Sequence, residues 1–226
     1  MTRRAIFGRL AHGRPTRRVR WRGRSRVFFG FRWHLSLNKS QVACSSSLFG
    51  AMAVLETSRL TLRPFREDDV DLLSELMANQ DFMRFSLAVY TREQTRGFLE
   101  KLLAWHNANK PSLFAAMLRS NGMLLGYCGF YNQHIDEVDE IEIGYRMHPD
   151  YWNQGLATEA ARAVRDHAFR DLKLPRIISL IHPENTPSQR VAEKIGLTLE
   201  KQTIYRESLT NVFSLSRARW EKENAA

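Results

Sequence analysis

The stretch that most constrains the fold is EIEIGYRMHPDYWNQGLATEAARAVRDHAF, residues 140–169. Its first eight residues alternate polar and apolar side chains, the pattern of a half-buried strand. Its last twelve are an unbroken run of helix formers, which predicts a helix from Thr158 to Phe169. Gly155 and Ala157 stand at the mouth of that helix. A helix start leaves backbone N–H groups without partners and carries a partial positive charge. With no side chain at Gly155 and only a methyl at Ala157, a phosphate or pyrophosphate can come close to those N–H groups. On spacing alone, an ordinary helix start explains the same residues.

The remaining elements fall into place around this unit. RLTLRPF (59–65) reads as a short strand ended by Pro64. EDDVDLLSELMAN (67–79) is an amphipathic helix with acids in its first turn, and a second helix starts near Thr91 and runs through Trp105. SLFAAMLR and MLLGYCGFYNQ are strands joined by a turn at Gly122. RIISLI (176–181) is a β-branched run suited to a buried parallel strand, and PENTPSQRVAEKIG (183–196) is a helix with Gly196 at its C-terminal end. LTLEKQTIYRE and NVFSLSRARW then read as an antiparallel pair that closes the sheet. This order predicts an α/β fold whose central mixed sheet, antiparallel in its first part, is flanked by helices. There are no internal repeats.

The net charge of +10 suggests nucleic acid or membrane as a partner, but the charge is not spread over the chain. Residues 1–51 hold eleven Arg, one Lys and no acid, a net of +12, and the remainder is close to neutral at −2. Three readings of this segment stay open. It is a disordered arm for nucleic acid or acidic lipid, an Arg-rich transit peptide, or upstream sequence extraneous to the working protein. The third is preferred, because Met52 opens a stretch that looks like a natural domain start, giving a domain over 52–226. The segment has no run long enough to span a bilayer. Cys44 and Cys128 are the only cysteines, so there is no disulfide framework, and no metal-ligand spacing of Cys and His occurs. A cytoplasmic domain is expected, monomeric or homodimeric, with nucleic acid a partner only through residues 1–51.

The loop W-N-Q-G-L-A resembles the acyl-CoA-binding signature of the GNAT superfamily of N-acetyltransferases: Gln or Arg, two residues, Gly, one residue, then Gly or Ala. Trp152 stands where Gln or Arg is usual, a departure shared by the branch that contains RimJ and RimL. LETSRLTLRPFREDD is similar to the opening of that branch, EIGYRMHPDYW to its central strand, and HPENTPSQRVAEKIGLTLE to its second CoA-facing segment. The resemblance runs from Met52 to Trp220, and residues 1–51 take no part in it. It implies the GNAT fold, with acetyl-CoA as acetyl donor. Main-chain groups of Tyr145, Arg146 and Met147 are implied to pair with the pantetheine arm as an added strand would. Gln154, Gly155, Leu156, Ala157 and Thr158 are implied to hold the pyrophosphate. Asn185 would bond the far side of CoA, with Ser188 near its sulfur. The implied acceptor is a primary amine: a protein N-terminal α-amine of the ribosomal-protein type or, in other members of the branch, a small amine.

Acetyl transfer to an amine needs a neutral nitrogen, a held thioester carbonyl and an exit for the thiolate. Glu140 and Glu142 share one face of the strand, and Glu142 is the candidate to take the ammonium proton, through water. A solvated strand carboxylate is the alternative for both. An oxyanion donor is expected from the main-chain N–H of Tyr145 or Arg146, exposed by a bulge at Gly144, for which close packing is the rival explanation. The tyrosine that many relatives use as proton donor falls at Ala192, which leaves Ser188, equally explained as a helix-start residue, or no acid at all. Phe82, Phe85, Tyr90 and Trp105 are read as core or as walls of the acceptor groove. A non-catalytic CoA-binding or nucleic-acid-binding module is the rival function.

If residues 1–51 are extraneous, a chain beginning at Met52 will match the full chain in melting temperature and CoA affinity. A marked loss of stability in thermal unfolding would show that the segment packs on the domain.

Overall fold

The computed structural model describes residues 54–225 except Leu87. The Arg-rich segment assigned to residues 1–51 lies outside them. The chain forms β1 (Leu55–Glu56), β2 (Leu60–Pro64), α1 (Val70–Ala78), α2 (Arg92–Asn107), β3 (Leu113–Leu118), β4 (Leu124–Ile135) and β5 (Val138–Met147). It continues with α3 (Leu156–Arg170), β6 (Arg176–Ile181), α4 (Thr186–Lys194), β7 (Thr198–Tyr205), β8 (Ser208–Ser216) and α5 (Arg217–Asn224). One eight-stranded sheet has the order β1-β2-β3-β4-β5-β6-β8-β7. Every neighbouring pair is antiparallel except β5 and β6, which run parallel because α3 carries the chain back between them.

The two faces of the sheet have separate cores. On one, Leu156, Ala160, Ala161, Val164 and Ala168 of α3 pack on Ile143 and Met147 of β5 and Ile177 of β6. The small residues along α3 bring the helix axis close to the strands, as P-loop-like strand–helix units require. On the other face, Leu73, Leu76 and Met77 of α1 and Leu99 and Leu102 of α2 cover Leu113, Ala115 and Tyr127. Helix α2 starts as expected at Thr91, whose hydroxyl caps Gln94 N while the Gln94 side chain returns to Thr91 N at 2.8 Å.

Several boundaries differ from the sequence reading. Strands β4 and β5 run on to Ile135 and back from Val138, closed by Asp136 and Glu137 at φ 47° and 63°. Two left-handed residues make a tight hairpin without glycine, so the usual turn signal is missing. The segment RARW is not strand. Ser216 ends β8 and its hydroxyl accepts from Arg219 N, starting α5, where Arg217–Glu221 and Arg219–Glu223 pairs lie along one turn. Trp220 is buried against Phe169 of α3, and that contact fixes α5 against α3. Finally, α3 begins at Leu156, two residues before the expected Thr158, and α4 begins at Thr186 behind the cap Asn185, not at Pro183.

The entry to α1 is fixed by a buried ion pair. Arg63 donates to both oxygens of Asp69, at 2.8 and 2.7 Å, and Asp69 also accepts from Arg66 N. Asp69 is only 4% exposed. Asp69→Ala strands the Arg63 charge in this site, so stability should fall by about 3 kcal/mol in urea unfolding. A loss well below 1 kcal/mol would mean that water reaches Arg63 freely.

Candidate active site

The site begins where two strands part. Parallel pairing of β5 with β6 is limited to Glu142 and Ile178, and beyond it the Ser179 hydroxyl donates to Ile143 O at 2.8 Å. From Gly144 onward β5 pairs only with β4. Main-chain groups alternate sides along a strand, so Tyr145 and Met147 turn to the β6 side as Ile143 does, and Arg146 turns to β4. The Met147 carbonyl accepts the Trp152 indole N–H at 2.7 Å. Tyr145 therefore offers both of its main-chain groups to the gap, Met147 only its N–H, and the Arg146 main chain, assigned to pantetheine from the resemblance, points away. Across the gap, the Tyr145 hydroxyl donates to Ser188 O at 2.7 Å, and Ser188 N donates to the Asn185 cap. The strand edge and the start of α4, with Tyr145, Asn185 and Ser188, are thus brought together.

Gly144 makes no bulge. The β4–β5 register is continuous through it, and a Cβ there would come within 2.8 Å of the Tyr131 ring. Close packing explains this glycine, and the parting of β5 from β6, not a kink, frees the strand edge.

The loop before α3 joins the same gap. Glu159 N makes the first intrahelical bond, to Gly155 O, so the N–H groups of Leu156, Ala157 and Thr158 precede the helix ladder. No side chain caps this end, and Gly155 is left-handed at φ 79°, two residues after Asn153 at φ 59°. The glycine is needed for its backbone. A Cβ at Gly155 would meet only Arg59 Nη2, at 3.6 Å, so the surrounding protein leaves the space beside the loop open, and the positive φ is a second reason for glycine here. Gln154 is exposed and its amide donates to Asp150 O.

Arg59 was missed in the sequence, although it lies within the matched opening motif. Its guanidinium donates to Gln154 O at 2.9 Å and pairs with Glu159 at 2.7 Å, adding a cation beside the loop. Glu159 also accepts from Thr57, Ser58 and Arg59 N, which fastens the β1–β2 turn to the first turn of α3.

On the opposite face of β5 stands Glu142, 9% exposed. Burial pushes its carboxyl above the ordinary value, against bonds from Gln133 Nε2 at 2.5 Å and Leu180 N at 3.3 Å. The Tyr205 hydroxyl donates to Gln133 Oε1, so a chain of two bonds leads from β7 to the carboxylate. Gln133 and Tyr205 are invisible to motif reading because both act from strands distant in sequence. Glu140, on the same face, is held by Arg176 at 3.1 Å and serves as an ion-pair partner. Of the four aromatics, Phe82 is core, and Tyr90 and Trp105 pack against that core half-buried. Phe85 is 41% exposed and stacks on His182, 5.8 Å between centroids, linking the segment after α1 to the loop after β6.

A helix start fit for an anion, a strand edge fit for amides and a buried carboxylate on the far side define an acyl-CoA-dependent transferase. Residues 59–198 match the GNAT acetyltransferase domain, more than half of the chain, and the chain belongs to that family of N-acetyltransferases. An uncharacterized N-acetyltransferase of Bacillus subtilis, YnaD, is 33% identical over 147 residues, covering 65% of this chain and 83% of its own. A GNAT-family acetyltransferase structure from Bacillus anthracis superposes with a TM-score of 0.63 at 30% identity, over 74% of this chain and 99% of its own. The RimL ribosomal L7/L12 α-N-protein acetyltransferase, solved in complex with coenzyme A, has the same fold at 20% identity and a TM-score of 0.63, covering 73% of this chain and 98% of its own. Among the described residues no helix is long and apolar enough to cross a membrane.

Two outcomes follow from this geometry. Burial alone would raise the Glu159 carboxyl, but its bonds from Thr57, Arg59 and Ser58 hold it down to about 2. Its stabilising contribution is complete above the unfolded value of 4.5 and is lost as pH falls through about 2. Glu159→Gln should flatten the acid limb of a stability–pH curve, and an unchanged limb would remove the bracket from the account. Gln133→Leu deletes a bond that lowers the Glu142 pKa, so the acid limb of kcat/KM should move to higher pH, and a limb that stays in place would exclude Gln133 from the site.

Proposed function

We propose that the chain transfers acetyl from acetyl-CoA to a primary amine, with Glu142 as the proton acceptor. The observation that carries this reading is the buried, uplifted carboxylate of Glu142 at the residue where β5 leaves β6. The pyrophosphate is bound by the N–H groups of the 154–158 loop, and pantetheine amides pair with Tyr145 and with Met147 N–H. Glu142, through water, takes the ammonium proton. The freed nitrogen attacks the thioester carbon, the carbonyl oxygen takes charge against Tyr145 N–H, and the C–S bond breaks. As the intermediate collapses the nitrogen sheds its second proton, and the Ser188 hydroxyl is the proposed relay by which that proton reaches the departing thiolate.

A protein N-terminal α-amine is the proposed acceptor, within the RimJ/RimL-like branch and in the cytoplasm. Its pKa of about 8 lies closer to that of an uplifted carboxylate than the value of about 10.4 for a lysine-type amine, so less free energy is spent on deprotonation. The HPDYW-containing loop supports the branch. A small amine is the other acceptor class.

Glu142→Gln should lower the rate by roughly 100-fold near neutrality, recovering as pH rises and amine arrives already neutral, with acetyl-CoA affinity little changed. Wild-type rates for the variant in the neutral range would remove Glu142 from the mechanism. Gly155→Val should lose CoA affinity by on the order of 30-fold and lower the melting temperature as well, since a branched residue at positive φ strains the loop. Unaltered affinity in calorimetry would mean that the loop does not hold the diphosphate.

A further inference from the structure

Acetyl transfer as described makes no use of the Arg146 side chain. Arg146 is opposite Tyr127 in the β4–β5 ladder and lies on the same face of β5 as Glu142 and Gly144. It is half-buried. Its Nη1 lies 2.8 Å from Ser86 Oγ and 3.0 Å from Met83 Sδ, and its guanidinium carbon lies 5.7 Å from the centre of the Phe82 ring. All three partners are neutral. Arg59, Arg63, Arg165 and Arg176 each meet a carboxylate within 3.1 Å, whereas no carboxylate pairs with Arg146 among the described residues.

A guanidinium drawn out of water against sulfur, hydroxyl and ring loses hydration that these partners replace only in part. Its planar fork matches a carboxylate with two parallel bonds. The phenol of Tyr131 lies between the two ends of this face. Burial lifts it well above its ordinary value, Tyr127 and Glu142 push it further up, and Arg146 draws it back. The face therefore carries an acid at Glu142 and a cation at Arg146, with the Tyr131 ring packed over Gly144 between them.

We propose that Arg146 selects acceptors that carry a carboxylate several ångströms from the reacting amine. This rests on the reading of Glu142 as the residue that receives the amine proton. Four strand residues span about 13 Å, shortened by the reach of the two side chains. That gap suits an acidic side chain within the first two residues of a peptide, or a carboxyl on the far end of a small amine. A polyamine would bring a second cation to Arg146.

The test measures kcat/KM on the full chain with matched acceptors that differ only in the anion. One arm uses peptides with Glu or Gln at the second residue, and the other uses γ-aminobutyrate against butylamine, with spermidine as the cationic comparison. Wild type should favour the carboxylate member by roughly tenfold or more in one arm, which also identifies the source of the anion. In Arg146→Gln that ratio should fall towards one, and Arg146→Lys should retain part of it. A ratio near one in wild type, a preference for spermidine, or a ratio undiminished in Arg146→Gln overturns the proposal while the acetyltransferase reading stands. Binding of acetyl-CoA with no acetylation of any amine overturns both.

Discussion

Everything in the site depends on the place where β5 and β6 stop pairing. A sheet normally satisfies each strand edge with its neighbour. Here the ladder is interrupted after Glu142–Ile178, and the Ser179 hydroxyl takes the Ile143 carbonyl in the place of a strand partner. From that point the two strands carry different helices, α3 and α4, so two helix starts converge on one gap. Parallel strands with crossovers present their ligand sites at the carboxyl ends for this reason. In the proposed function the edge left by the parting takes an amide-bearing chain, and the helix starts take its charged end.

The two halves of the site are built from different materials, and this governs how much of each was legible in the sequence. The half proposed for CoA is made of main chain. Its requirements are a left-handed residue at Gly155, a small residue at Ala157 and a cap at Asn185, all of which leave local marks. The strand–loop–helix unit, the order of the elements and the mixed sheet could be read for the same reason. At Gly155 the structure adds a mark that the sequence argument did not use, a φ of 79° that favours glycine. The alternation that turns the Arg146 main chain away could not be read before the Ser179 bond fixed which side Ile143 faces.

The acceptor half is made of side chains from distant segments. Gln133, Glu142, Tyr205 and Arg146 come from three strands; the spacing of Glu142 and Arg146 puts those two on one face, but nothing in the sequence brings Gln133 or Tyr205 to Glu142. The sequence reading preferred Glu142 to Glu140, and the partners of the two carboxylates, Gln133 for Glu142 and Arg176 for Glu140, come from other strands. The glycine-free hairpin at Asp136–Glu137 and the helix RARW were hidden likewise. A strained turn and a tryptophan docking on Phe169 are decided by tertiary contacts that local propensity does not contain.

The stacking of Phe85 on His182 has a kinetic consequence. The two rings tie the segment after α1 to the loop after β6. A ring pair of this kind holds about 0.5–1.5 kcal/mol beyond its buried area, only a small multiple of thermal agitation. Side chains bound that weakly exchange rotamers within nanoseconds when they are partly exposed. The aromatic bridge between the segment after α1 and the loop after β6 therefore breaks and re-forms many times within a single catalytic turnover.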